Sequence, residues 1–178
     1  MTKPIAIITG ASTGIGKELA VELSNDYFVY LISRNIDNLN KTKAIIHNKN
    51  NDCEIISADI SDEESVKKIN NKISNKDNIE LLINNAGVAI FKDISDTTVN
   101  DWDQTINVNL RGSFLITKLL IENFKSQKSG KIVFINSGAG LKPFKNSSAY
   151  VASKYGLRGF ASSLREELRE YNVKVISA

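Results

Sequence analysis

Two residues of the chain are spaced for proton transfer. Tyr150 and Lys154 stand four positions apart, so on a helix they share one face a single turn apart. None of the other tyrosines has a lysine four positions on. A phenol in water titrates near pH 10, and bringing it down to neutrality takes roughly 4 kcal/mol of extra stabilisation of the phenolate. A close ammonium supplies much of that. Reduction of a carbonyl needs such a group to protonate the alkoxide as it forms, and a second hydroxyl donating to the same oxygen stabilises the developing charge. Ser137 stands at the tip of an Ile- and Val-rich run and suits that task. Ser12, Ser148 and Ser153 are alternatives, none of which ends a strand. Tyr-x-x-x-Lys also occurs on ordinary helix surfaces, so the pair alone decides nothing.

Near the start, Thr9-Gly10-Ala11-Ser12-Thr13-Gly14-Ile15-Gly16 follows an apolar run and opens a segment with Ile15, Leu19 and Leu23 at helical spacing. Strand, glycine loop and helix N-terminus together make a phosphate site. Gly10 permits a sharp exit from the strand, Gly14 lets backbone N–H groups approach a pyrophosphate, and Gly16 lets the helix lie close to the sheet. The helix dipole and its free N–H groups then favour an anion. Glycines also mark plain turns, but the placement after the first strand favours a nucleotide. Three residues separate the first two glycines and one separates the last two, which departs from G-x-G-x-x-G. Folds of this kind that use NAD carry a carboxylate near the end of the second strand. Here that place reads Ser33-Arg34, and a guanidinium suits the 2'-phosphate of NADP. NADP(H) is therefore expected ahead of NAD(H). Asp37 nearby reads as a helix-start residue.

These groups need a scaffold. Short apolar runs alternate with longer segments of helical period, the pattern of βα units around a parallel sheet. Six strands are predicted, over 5–9, 28–33, 54–58, 81–84, 131–136 and 173–177, and their nearly continuous hydrophobicity means that helices cover both faces. Helical segments start near Gly14, Ile36, Ser61, Val99 and Ala149. Ser61-Asp62-Glu63-Glu64 reads as a capping box with Ser61 as N-cap and Glu64 reaching back. Linkers such as Asn48-Lys49-Asn50-Asn51-Asp52 and Ser74-Asn75-Lys76-Asp77-Asn78 are polar, as surface turns are. The helix over 99–124 carries Ile106, Leu110, Phe114, Leu115, Leu119, Leu120, Ile121 and Phe124, more than one apolar stripe holds. The helix after Ala149 places Leu157, Phe160, Leu164 and Leu168 on a stripe. Packing of these two helices against copies of themselves would take up the surplus, so a homodimer or homotetramer is expected, with cover by the sheet alone as the alternative.

Composition closes off other classes. Hydrophobic residues at 42% and charged residues at 24% are ordinary globular values, which argues against disorder and a disulfide scaffold. A net charge of +3, with lysines and acids interspersed, leaves no basic stripe for nucleic acid. Cys53 is the only cysteine and reads as a packed strand residue. The opening Met1-Thr2-Lys3-Pro4 lacks signal-peptide features, and no apolar run is long enough to span a membrane. A cytoplasmic protein of one domain over 1–178, without nucleic-acid or membrane partners, is the expectation. His47, the sole histidine, is read in a polar loop, so neither a Ser-His-Asp triad nor a metal cluster has support.

The Thr9-to-Gly16 loop, Asn84-Asn85-Ala86-Gly87 after the fourth strand and Tyr150-Val151-Ala152-Ser153-Lys154, in this order and at these intervals, resemble the classical short-chain dehydrogenase/reductase family from the first strand to the end of the chain. The resemblance implies a Rossmann-type α/β fold, a doubly wound parallel sheet. It implies a catalytic set of Asn109, Ser137, Tyr150 and Lys154, Ser137 lying 13 residues before Tyr150 as in family members. Asn109, in Asn107-Val108-Asn109-Leu110, would hold a water that links the lysine to solvent; the alternative is an amide bonded to backbone within its helix. Gly10, Ser12, Thr13, Gly14, Ile15, Gly16 and Arg34 would bind the dinucleotide together with Tyr150 and Lys154. Asp59 would hold the adenine amino group with Ile60 beside it, a role compatible with starting a turn before Ser61. Asn85, Ala86 and Gly87 would line the adenosine ribose.

Family members continue beyond the sixth strand with a substrate-covering region and a seventh strand, whereas this chain ends Val173-Lys174-Val175-Ile176-Ser177-Ala178. The fold is thus expected to be truncated after the sixth strand, with an apolar strand left at the sheet edge. The leading expectation is an NADP(H)-dependent oxidoreductase moving a hydride between nicotinamide and a small carbonyl or alcohol. A non-catalytic dinucleotide-binding redox sensor or an inactive fragment is the alternative. An epimerase or dehydratase comes third, disfavoured by the close Gly14-Ile15-Gly16 pair.

Overall fold

Six Ile-, Val- and Leu-rich runs become parallel strands in a computed structural model that describes residues 3–73 and 77–178. Met1 and Thr2 of the opening, and Ser74, Asn75 and Lys76 of the linker expected before the fourth strand, lie outside the described residues. The strands are β1 (Ile5–Thr9), β2 (Phe28–Ser33), β3 (Cys53–Ser57), β4 (Ile79–Asn84), β5 (Lys131–Phe134) and β6 (Lys174–Ser177), in the spatial order β3-β2-β1-β4-β5-β6. Ile8 of β1 is in register with Leu31 of β2 and Ile83 of β4. The order therefore reverses between β1 and β4, and a crevice opens beyond their carboxyl ends, where ligands bind in sheets of this kind.

Helices close both faces. On one, α1 (Gly14–Leu23) and α2 (Ile36–Asn48) bring Ala20, Val21, Leu39 and Ile46 against Ala6, Ile8, Leu31 and Ile83. On the other, α3 (Glu63–Ile73), α5 (Ser113–Gln127) and α6 (Ser148–Glu167) pack Ile69, Ile116, Phe124, Leu157 and Leu164 against Ile7, Ile32, Leu82 and Phe134. Successive strand residues serve opposite cores, which is why the strands show no polar alternation. The result is the Rossmann-like doubly wound α/β fold.

The helix expected over 99–124 is a continuous stack of α4 (Val99–Ile106), a π-helical turn (Asn107–Gly112) and α5. A reciprocal cap starts α4: Thr98 Oγ1 accepts from the Asp101 N–H at 3.1 Å, and Asp101 Oδ2 accepts from the Thr98 N–H at 3.0 Å. At the far end, the Gln127 carboxamide accepts from the Ile79 N–H (3.1 Å) and donates to its carbonyl (2.8 Å), tying α5 to the first residue of β4.

Two local expectations are corrected. The Ser61–Glu64 capping box does not form, because Asp59 Oδ1 captures both donors of Ser61, the N–H at 2.9 Å and Oγ at 2.7 Å. The cap moves on by one: Asp62 Oδ2 accepts from the Ser65 N–H at 2.8 Å, and Glu64 pairs with Lys67. His47 lies in the last turn of α2 and not in a loop, since Leu39, Thr42 and Ile46 keep helical spacing and are fully buried. Asn50, at φ +59, ends the segment two residues past the helix.

Candidate active site

The exit from β1 depends on three glycines in different ways. Gly10 has φ +67, and a Cβ there would meet the Ala86 Cα at 2.8 Å. A Cβ on Gly16 would fall on the Gly10 carbonyl and the Asn85 carboxamide, so the first turn of α1 lies against the loop only with hydrogen at that position. Gly14 has open space around it but a φ of +54, a conformation that costs an L residue about 1 kcal/mol or more. Thr9 and Asn85 staple this loop to β4. Thr9 Oγ1 accepts from the N–H groups of Asn85 (3.0 Å) and Ala86 (3.1 Å), while the Asn85 carboxamide donates to the carbonyls of Thr9 (3.0 Å) and Gly10 (3.3 Å).

Thr13 is the N-cap of α1 but its side chain makes no capping bond, and the first turn holds no acidic residue. The positive end of the helix is therefore left to an external anion. It opens into a groove of about 350 Å³. Gly10, Ser12, Thr13 and Ile15 form one wall, Arg34 with Asp59 and Ile60 a second, and Asn85, Ala86 and Gly87 a third. Gly14 and Gly16 do not line the groove; they act through the conformation of the loop and the close approach of α1. Arg34 is well exposed, with Nη1 3.7 Å from Asp59 Oδ2. An uncapped helix end, a glycine-bearing loop with the hydroxyls of Ser12 and Thr13, and a reachable guanidinium together fit the phosphates of a dinucleotide.

A second cluster adjoins the ends of β4 and β5. Lys154 is only 5% exposed, and its Nζ donates to the Ile135 carbonyl at 2.8 Å while standing 5.7 Å from the centre of the Tyr150 ring. Burial pushes this ammonium down from 10.5 to about 8. Ile135 lies two residues before Ser137, so the same bond holds α6 against the end of β5. Ser137 is extended (φ −166, ψ 161) and caps the 3₁₀ turn Gly138–Gly140; its Oγ accepts from the Ala139 N–H at 3.1 Å, which leaves the hydroxyl proton free to be donated. That turn packs on α6, and Arg158 Nη1 reaches the Gly140 carbonyl at 3.4 Å.

Asn109 sits in the π-helical turn, 1% exposed. Its Oδ1 accepts from the Val88 N–H at 2.7 Å, and its Nδ2 donates to the Val88 carbonyl (2.9 Å) and to Ser153 Oγ (3.0 Å). Ser153 in turn donates to the Tyr150 carbonyl at 2.7 Å. The backbone bonding weighed for this amide is present, but to a different segment and not within its own helix. Asn109 thus clamps the stretch after β4 to the turn of α6 that carries Tyr150 and Lys154. The π turn brings Gly112 so close to Ile60 that a Cβ would meet its Cδ1 at 2.8 Å.

Several members of the site gave little sequence signal. Ser33 Oγ lies 2.8 Å from Ser12 Oγ, and its position before Arg34 at a strand end was the available clue. Thr9 opens the glycine-loop motif, but nothing in the sequence gives its hydroxyl the bonds to Asn85 and Ala86, and Val88 acts through a backbone that no motif marks. Phe91 packs edge-on to Tyr150, ring centres 5.7 Å apart at 73°, from a loop without periodicity. Among the described residues no group of three His, Cys, Asp or Glu could hold a metal ion, and no helix is long and apolar enough to cross a membrane.

A doubly wound sheet with a phosphate-ready glycine loop at its switch point defines a dinucleotide-binding α/β protein. Residues 4–178 match the model of the short chain dehydrogenase family, and the chain belongs to that family of NAD(P)-dependent oxidoreductases acting on CH–OH and C=O groups. It is 37% identical to sepiapterin reductase of Chlorobaculum tepidum over 182 residues, which covers 97% of this chain and 75% of that protein. It is 35% identical to an uncharacterized oxidoreductase of Bacillus subtilis, covering 98% of this chain but 63% of the relative's length. A metagenomic short-chain oxidoreductase solved in complex with NADP superposes with a TM-score of 0.94 at 30% identity, over 99% of this chain and 81% of that one.

Proposed function

We propose that this chain reduces a small carbonyl compound, or oxidises the matching alcohol, with NADP(H) as hydride carrier. The observation that carries the reading is the buried Lys154 ammonium, held between the Ile135 carbonyl and the Tyr150 ring. A dinucleotide held by the groove residues would supply or accept the hydride at its nicotinamide. Tyr150 gives its phenolic proton to the forming alkoxide, and Lys154 stabilises the phenolate that remains. Ser137 donates to the same oxygen. Asn109 keeps the turn of α6 in place and, through the water assigned to it by family resemblance, connects Lys154 to solvent. Gly10, Ser12, Thr13, Gly14, Ile15 and Gly16 hold the pyrophosphate, Asp59 and Ile60 the adenine, and Asn85, Ala86 and Gly87 the adenosine ribose.

Arg34 supports NADP over NAD, because β2 ends in a guanidinium where NAD users carry a carboxylate. The exposed rings of Phe114 and Trp102 on α5 and α4 support a homodimer or homotetramer. A cytoplasmic location completes the reading. The test is Tyr150→Phe. Turnover of a carbonyl panel with NADPH should fall about a hundred- to ten-thousandfold, while NADPH affinity, read by fluorescence, stays within about threefold because the phosphates bind elsewhere. Retained turnover would refute the role of Tyr150. Tight NADPH binding by the unmodified protein without turnover of any carbonyl would favour a redox sensor.

A further inference from the structure

The reacting hydroxyls are flanked by aromatic rings. Phe91, 64% exposed, presents its edge to Tyr150. Phe144, 49% exposed, lies against the turn that Ser137 caps: its Cζ is 3.9 Å from where a Cβ on Gly138 would stand. Leu141 and Ile94 are exposed nearby in sequence, and Ile94 and Phe144 share a cavity of about 340 Å³ beside the first turn of α6. Large apolar side chains left open around a polar reacting centre mark a binding surface.

Given the reductase reading above, on which this inference rests, we infer that the substrate is a carbonyl compound with a flat aromatic body next to the C=O, and that Phe91 is the residue selecting it. The geometry narrows the class. A carbonyl oxygen that accepts from both Ser137 and Tyr150 brings its carbon substituents next to those residues, and Phe91 packs on Tyr150 while Phe144 lies beside Gly138, the neighbour of Ser137. A small aliphatic substituent leaves those rings in water, whereas an aryl group covers them and meets Phe91 in the stacked or edge-to-face contact that aromatic pairs favour. The loop that carries Phe91 is braced for this. Lys92, the next residue, pairs with Asp101 at 2.7 Å, and Asp101 is itself fixed in the cap of α4. Val88, three residues earlier, is clamped by Asn109. Phe91 is thus presented from a stretch held at both sides.

The experiment compares kcat/KM for benzaldehyde and propanal, with NADPH, for the purified protein and for Phe91→Ala, and measures the mass of both proteins in solution. Benzaldehyde is expected to be preferred at least about tenfold in kcat/KM, and Phe91→Ala to remove most of that preference by lowering kcat/KM for benzaldehyde far more than for propanal. Equal use of the two aldehydes, or equal loss of both in Phe91→Ala, would overturn the inference and leave the reductase reading standing. A change of oligomeric mass in Phe91→Ala with an unaltered ratio would also overturn it, by assigning the ring to a contact between copies. Failure to reduce either aldehyde or any other carbonyl, despite NADPH binding, would instead remove the reductase reading and this inference with it.

Discussion

Replacing Lys154 by Met should make the protein more stable and inactive at the same time. The ammonium is 5% exposed, and burial has lowered it from 10.5 to about 8. At pH 7 the folded state therefore carries a desolvated charge that disfavours folding by about 3 kcal/mol. Between about pH 8 and 10.5 the unfolded chain keeps this proton while the folded chain releases it. The unfolded state then binds more protons, and stability rises with pH. The penalty shrinks to about 1 kcal/mol at pH 10. Methionine matches the stem of lysine in length and removes the charge, but it leaves the Ile135 carbonyl without its donor, a loss of about 1 kcal/mol. Urea denaturation of the dinucleotide-free proteins should thus show Lys154→Met stabilised by about 2 kcal/mol at pH 7, with the advantage gone by pH 10. Taking the difference between the two proteins at each pH cancels the other groups that titrate in this range, among them Tyr30 and Cys53, both raised by burial. Turnover should fall with the charge. A Met variant that is less stable at pH 7, or a difference that does not change with pH, would refute the assignment of Lys154 as a buried ammonium held for chemistry.

Arg34→Asp should weaken NADPH binding about ten- to hundredfold and leave NADH binding equal or tighter, as the loss of one charge-assisted phosphate contact dictates; equal losses for both in calorimetry would take Arg34 out of the site. Gly16→Ala places a methyl group on the Gly10 carbonyl and the Asn85 amide, so both melting temperature and dinucleotide affinity should drop. Gly14→Ala has room and is opposed only by its φ of +54, so it should cost stability about 1 kcal/mol; a Gly14→Ala more damaging than Gly16→Ala would contradict the packing described here.

What the residues disclosed and what they hid divides along physical lines. Strands such as Ile5–Thr9 and Phe28–Ser33 were legible because burial on both faces demands unbroken apolar runs. Tyr150 and Lys154 were legible because helical spacing alone puts them on one face. The cap of α3 was misplaced because Asp59, Ser61 and Asp62 all offer cap chemistry, and the choice between them is made by a bond from Ser61 to Asp59 that spacing does not reveal. The polar run Asn48, Lys49 and Asn50 makes His47 read as a loop residue, while the buried Ile46 beside it carries the helix on. The Phe91 and Tyr150 contact crosses 59 positions of sequence (150 − 91) and has no local signature.

The surplus of apolar residues over 99–124 shares its helix with a polar line. Thr105, Asn109, Ser113 and Thr117 follow one another at intervals of four, and each is at most 2% exposed. Hydroxyls buried in this way need partners, and the helix and the neighbouring strand provide them: Thr105 donates to the Asp101 carbonyl, Ser113 to the Asn109 carbonyl, and Thr117 accepts from Asn84 at the end of β4. Asn109 turns its side chain to two other segments at once, toward Val88 after β4 and Ser153 on α6. Its place in the π turn accounts for that, since an added residue per turn redirects side chains that regular helix would leave stacked. A polar line that merely filled a core would be replaceable by alanine and valine at little cost. One that includes an amide gripping both the wall of the groove and the helix of Tyr150 couples the shape of the dinucleotide site to the placement of the proton donor.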